Sequence, residues 1–115
     1  MKREFVWLPS FLVKWQQLNL NEDDMRRLEQ ELLSNPKIGP VIQGTKKIRK
    51  MRFAFPNRGK SSSTRVIYVD FEVYEKIYLI DVYAKNDKDN LTKEERNNLR
   101  GLVELLELEL DKGAL

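Results

Sequence analysis

Apolar positions recur with a strand's period at the start of the chain, then with a helix's period, then with a strand's again. Residues 2–7 read as a short strand. Pro9-Ser10 then opens a helix in which Phe11, Trp15 and Leu18 share one face. Asn21 is placed to cap a second helix, with Glu22, Asp23 and Asp24 in its first turn, where the helix dipole favours negative charge. Met25, Leu28, Leu32 and Leu33 give that helix one apolar stripe, and Asn35-Pro36 ends it. The two helices form an antiparallel hairpin if both stripes face a common sheet.

Residues 37–47 contain two glycines and a proline and read as a connection. A strand follows at about 48–55. Side chains alternate along it, so Met51, Phe53 and Phe55 share one face and Lys50 and Arg52 the other. Residues 56–63 form a basic hairpin loop, and the next strand is about 64–71. A turn around Glu72–Glu75 leads to a third strand at about 76–84. It is apolar on both faces, with Ile77 and Leu79 opposed to Tyr78, Ile80 and Val82, which places it centrally in its sheet. Residues 86–90 are a polar loop. Thr92 and Glu95 form a capping box for a last helix running to about Leu110, packed through Leu99, Leu102, Val103, Leu106 and Leu110. The order is β-α-α-β-β-β-α. It predicts an α+β fold, an antiparallel sheet with helices packed on one face and an open face carrying Lys50 and Arg52.

A length of 115 residues fits a single domain spanning 1–115, and 41% hydrophobic with 34% charged residues is a soluble, globular balance. No stretch is apolar enough to span a membrane. Met1-Lys2-Arg3 ahead of an apolar segment resembles a signal peptide only superficially: Glu4 and Pro9 interrupt it and no small-x-small cleavage site follows. The expected location is therefore the cytoplasm.

Net charge is only +3, but its distribution is uneven. Residues 37–69 carry Lys37, Lys46, Lys47, Arg49, Lys50, Arg52, Arg58, Lys60 and Arg65 and no acid. A field of one sign over such a length favours phosphate-backbone binding over an ordinary solvated surface. Arg58-Gly59-Lys60 before three serines reads either as a phosphate-binding turn or as a basic hairpin tip; it lacks P-loop spacing.

Cysteine and histidine are both absent, which removes thiolate and imidazole metal sites and any Ser-His-Asp triad. The acids Asp70, Glu72, Glu75, Asp87 and Asp89 lack calcium-loop spacing and read as solvated turn residues. No metal site and no cofactor is expected. One reaction suits arginine, lysine and tyrosine alone: RNA cleavage by the RNA's own 2′-hydroxyl. The substrate brings the nucleophile. The protein orients it, neutralises the pentacovalent phosphate and moves two protons. A lysine or tyrosine can move protons when surrounding positive charge lowers its pKa.

Four stretches carry a family likeness: Ile48–Phe53 (IRKMRF), Asn57–Tyr68 (NRGKSSSTRVIY), Ile77–Asn86 (IYLIDVYAKN) and Leu91–Glu95 (LTKEE). With the upstream Leu20–Val41 helix and its Asn-Pro stop, followed by Ile42-Gln-Gly-Thr, the chain resembles the HigB branch of the RelE-like toxins. The resemblance implies a RelE-like fold with two helices on one side of a sheet and a C-terminal helix. It implies ribosome-dependent cleavage of mRNA and a cognate antitoxin, here a HigA-like helix-turn-helix protein. Carried over by position, it implies Arg65, Lys50, Arg52, Lys85 and Tyr83 as catalytic residues. Lys46, Lys47, Arg49, Arg58 and Lys60 would bind RNA. The best-known members also carry a tyrosine and an arginine after the last strand, whereas Asp87–Leu91 has neither. Arg65 has an alternative role, pairing with Asp81 on the adjacent strand. Trp7 and Trp15 read as packing residues rather than base-stacking platforms. A non-catalytic RNA- or protein-binding module of the same fold is the alternative to the nuclease.

Overall fold

The structure, a computed structural model, describes residues 2–54, 64–85 and 90–113. Strand β1 (Glu4–Trp7) leads into helices α1 (Pro9–Gln17) and α2 (Glu22–Ser34). Strands β2 (Ile48–Phe53), β3 (Thr64–Phe71) and β4 (Lys76–Ala84) follow, with a 3₁₀ turn at Glu72–Tyr74 between the last two, and α3 (Lys93–Asp111) closes the order. The α+β class and the element order agree with the sequence reading. Both expected caps form. The Asn21 side chain accepts from the Asp24 amide at 2.9 Å, and Thr92 Oγ1 accepts from the Glu95 amide at 3.0 Å. Each is worth about 1 kcal/mol by holding a helix's first turn. Phe55, assigned by alternation to the β2 strand, lies outside the described residues.

The sheet departs from expectation in one respect: it is mixed, not antiparallel. Its order is β1-β4-β3-β2, with β2-β3 and β3-β4 antiparallel and β1 parallel to β4. The α1–α2 hairpin carries the chain from the β4 side of the sheet to its far edge. β1 and β2 therefore sit at opposite edges, and β4 is interior, as its two apolar faces require.

The helices also divide between the faces. Phe11, Trp15, Leu28 and Leu32 from α1 and α2 are buried with Met51, Phe53, Val66, Tyr68, Ile77, Leu79 and Val82. Val103 and Leu110 from α3, with Leu99, Leu102 and Leu106, pack on Ile48, Ile67, Val69, Tyr78, Ile80 and Tyr83. Two helices thus share one face, as expected, while the third lies on the other, because β3 and β4 present large apolar side chains on both. The face expected to be open is partly roofed by α3, and Lys50 and Arg52 stand at its uncovered end.

A bulge alters the parity of β4. Ile67 pairs with Asp81 but Tyr68 pairs with Leu79, so Ile80 is an extra residue in that strand. Beyond it every side chain changes face. Val82 joins Ile77 and Leu79 over α1 and α2, rather than Tyr78 and Ile80 as simple alternation predicts.

Asp70 is also not a solvated turn residue. It lies in β3, one residue before the strand's end, in an ion pair with Arg3 at 2.8 Å, with both side chains nearly inaccessible to solvent. The chain between α2 and β2 is held along the β2 edge. Tyr68 Oη donates to the Pro36 carbonyl at 2.8 Å and accepts from the Gly39 amide at 3.1 Å. The Lys50 amide donates to the Pro40 carbonyl at 3.1 Å.

Candidate active site

At the end of the sheet left uncovered by α3, three strands place one residue each in a single cross-strand row. Arg52 on β2 pairs with Arg65 on β3, which pairs with Tyr83 on β4. Directly paired residues point to the same face, so two guanidinium groups and a phenol stand side by side. Lys50 lies two residues along β2 from Arg52 and shares its face. An open cleft of about 580 Å³ lies over this end, lined by Ile38, Pro40, Lys50, Arg52, Arg65 and Asn90 among others. The pinned 36–40 segment forms one wall. Asn90, just before the α3 cap, stands on another side, with its Oδ1 3.5 Å from Lys50 Nζ.

Arg65 is the unusual member. It is only 8% exposed, and its Nη1 is buried with no hydrogen-bond partner among the described residues. The alternative pairing with Asp81 does not form: that carboxylate accepts from Lys14 Nζ at 2.6 Å and from the Val82 amide at 2.9 Å. A buried cation with no carboxylate beside it among the described residues, next to a second arginine on the adjoining strand, is unfavourable in the unliganded protein. The same arrangement favours an anion carrying more than one negative charge.

Burial pushes the Tyr83 phenol above its ordinary pKa; Asp81 adds to the shift, Arg65 opposes it and Glu95 adds to it. The expectation that crowded positive charge would lower such a group is not met at Tyr83, because loss of water outweighs the nearby guanidinium. The phenol therefore stays protonated at neutral pH; its hydroxyl is buried, and Tyr83 is not among the residues that line the cleft.

The other basic residues are more dispersed. Lys85 is exposed, one residue beyond β4. Lys46 is exposed in the turn before β2, while Lys47 reaches Glu107 on α3 at 2.5 Å. Arg49 alternates to the face opposite Lys50 and donates to the Gly39 carbonyl at 2.8 Å, so it braces the cleft wall. Arg58 and Lys60 lie outside the described residues. Sequence reasoning missed Asn90, Ile38 and Pro40 as cleft residues. A polar residue two positions before a capping box was the available signal for Asn90; Ile38 and Pro40 carried none.

Residues 41–112 match the family described as the RelE toxin of the RelE/RelB toxin–antitoxin system. The match covers more than half of the chain, and the chain belongs to this toxin family. Two solved structures share its fold. One is E. coli toxin RelE carrying two arginine-to-alanine substitutions, in the free state. It is 18% identical, with a TM-score of 0.55 over 77% of this chain and 90% of that one. The other is the isolated E. coli RelE toxin, 15% identical, with a TM-score of 0.52 over 89% of this chain and 99% of that one. Among the described residues no helix is long and apolar enough to cross a membrane.

Proposed function

We propose that this chain is a metal-independent endoribonuclease that cleaves mRNA on the ribosome, and that it belongs to the HigB branch of its family. The whole chain acts as one toxin domain in the cytoplasm, held in check by a HigA-like helix-turn-helix antitoxin. The observation that carries the reading is the row Arg52–Arg65–Tyr83, in which a buried guanidinium, its Nη1 without a hydrogen-bond partner among the described residues, lies in a cleft beside a second one.

In the proposed reaction the 2′-hydroxyl of one nucleotide gives up its proton to water as its oxygen bonds to the adjacent phosphorus, and the bond from phosphorus to the 5′-oxygen breaks. The products are a 2′,3′-cyclic phosphate, opened later to a 3′-phosphate, and a 5′-hydroxyl. Arg65 and Arg52 hold the phosphate and gain most when it becomes doubly charged, which lowers the barrier rather than merely tightening binding. The Tyr83 phenol donates a proton to the departing 5′-oxygen. Lys50 and Lys85 orient the phosphate and the attacking hydroxyl, and Lys46, Lys47, Arg49, Arg58 and Lys60 attract the flanking backbone. With no histidine in the chain, positioning by the ribosome supplies much of the rate.

The test is mapping of mRNA 5′ ends and their chemistry, with purified ribosomes and with naked RNA. New 5′-hydroxyl ends only with ribosomes, persisting after chelation in polyamine buffer, are expected. Equal cutting of naked RNA removes the ribosome dependence. Restoration of activity by added metal removes metal independence. RNA or antitoxin binding without any cutting would favour the non-catalytic module.

A further inference from the structure

The outer face of α3 carries a pattern that the nuclease reading does not use. At 100° per residue, Glu94, Asn98, Gly101, Leu105, Leu108 and Lys112 fall within a stripe about 80° wide. All six are exposed, and Leu105 and Leu108 are 60% and 49% accessible. Val103 and Leu110, which bury α3 against the sheet, lie on the opposite side of the helix. Apart from its chain neighbours and its own helix backbone, no atom of the described residues lies within 4 Å of where a Cβ on Gly101 would stand. Glycine weakens a helix interior, and the fold of this chain does not require it here.

The stripe is complementary to itself when reversed. Set two α3 helices antiparallel about a two-fold axis at the level of Val103, and residues equidistant from it meet. Glu94 then faces the partner's Lys112, Asn98 faces the partner's Leu108, and Gly101 faces the partner's Leu105. Each leucine at 105 sits in the space above a glycine, so the backbones approach closely, and an ion pair closes each end. Glu94 and Lys112 cannot satisfy each other within one chain, because they stand about 27 Å apart along the helix at 1.5 Å per residue. Neither has a partner among the described residues. The flanking acids also avoid each other: Glu104 falls opposite the partner's Leu102, and Glu109 opposite the partner's Asn97.

We propose that this face binds a second copy of the chain, forming a two-fold dimer through antiparallel α3 helices. Such an interface is isologous, which is the commonest way for identical chains to associate. It is confined to one stripe of a single helix, so the dimer is weak.

Sedimentation equilibrium of the purified full chain, from low micromolar to several hundred micromolar loading, tests the proposal. The expected result is a reversible monomer–dimer equilibrium. Leu105→Glu, at an exposed position, leaves the far-ultraviolet dichroism unchanged and raises the dissociation constant at least about tenfold. Glu94→Lys and Lys112→Glu each weaken the dimer, and the two together restore it, because the swapped charges again face each other. A monomer at every concentration overturns the proposal. So does a dimer indifferent to Leu105→Glu, which would place the contact elsewhere. A double charge swap no better than either single change overturns the antiparallel register.

Discussion

Arg65 stands directly opposite Tyr83, and it does so only because β4 carries Ile80 as an extra residue. In an unbroken ladder continuing the Tyr68–Leu79 register, Arg65 would oppose Val82, and Tyr83 would turn toward α1 and α2. The bulge shifts the end of β4 by one residue and so gathers guanidinium and phenol on one face. Bulges recur next to functional sites because they re-aim a side chain without changing the fold. The energetic signature agrees: the row holds two adjacent cations with no carboxylate opposite either among the described residues.

Arg65→Ala is expected to reduce ribosome-dependent cleavage by a hundredfold or more, since loss of one preorganised donor costs about 3–4 kcal/mol at the transition state. Stability should change little, because Arg65 has no ion-pair partner among the described residues and the change removes a buried charge as well as packing. Arg65→Lys should recover only part of the rate, as an ammonium lacks the planar fork. Mapped 5′ ends and a melting curve check both points. A variant that cuts at the wild-type rate, or that melts far earlier, would count against a catalytic Arg65.

Tyr83→Phe keeps the ring that packs with Ile67, Ile80 and Leu91 and removes only the hydroxyl. If the phenol protonates the leaving 5′-oxygen, single-turnover cleavage falls at least about tenfold while RNA affinity is nearly unchanged. The distinguishing readout is a substrate whose 5′-oxygen is replaced by sulfur. A thiolate leaves without a proton, so Tyr83→Phe should cut that substrate at close to the wild-type rate. An equal deficit on both substrates would assign the phenol to positioning.

Much of the fold could be read in the sequence because its signals were local. Asn21 and Thr92 name their helix starts through side-chain bonds three residues long, and the two-sided apolar pattern of 76–84 identifies an interior strand. What the sequence did not reveal depends on pairing across distance. The direction in which β1 joins the sheet has no local signature. Nor does the bulge at Ile80, since Ile80, Asp81 and Val82 alternate as well with it as without it. Lys50 and Arg52 were legible as a shared face from their spacing. That Arg65 is buried with no counter-ion among the described residues, while Asp81 is bound by Lys14, required the register of three strands and the seat of α1.

The wall of the cleft depends on close approach at Gly39. A Cβ there would stand 2.7 Å from the Lys50 carbonyl oxygen and 2.8 Å from its carbon. Gly39→Ala must push the 36–40 segment away from β2, and a loss of about 1–3 kcal/mol is expected. Lys50 belongs to the cleft, so activity should fall more than stability explains. Urea midpoints and cleavage rates measured on the same preparation decide this. A variant as stable and as active as the parent would show that the segment relaxes freely.

Alkaline pH provides a test of the buried tyrosines. Burial pushes Tyr68, Tyr78 and Tyr83 above the ordinary value of 10.0. Above pH 10 the unfolded chain therefore loses phenolic protons before the folded one does. The unfolded state then binds fewer protons than the native state, and stability declines as pH rises. The full contribution is present below the unfolded pKa and is lost as pH rises through the folded values. Each such group steepens the decline by up to about 1.4 kcal/mol per pH unit. Tyr68 should contribute, since burial of its phenol outweighs the Gly39 amide, which donates to the oxygen and opposes the rise. Tyr68→Phe should lower stability at neutral pH by about 1–3 kcal/mol, because the Gly39 amide is left unpaired. The same variant should flatten the alkaline limb, since one titrating group is gone. Urea midpoints of parent and variant between about pH 8 and pH 11 measure both effects, with lysine titration common to the two chains. Parallel curves would mean that Tyr68 ionises as freely in the folded chain as in the unfolded one, and the effect of its burial would be refuted.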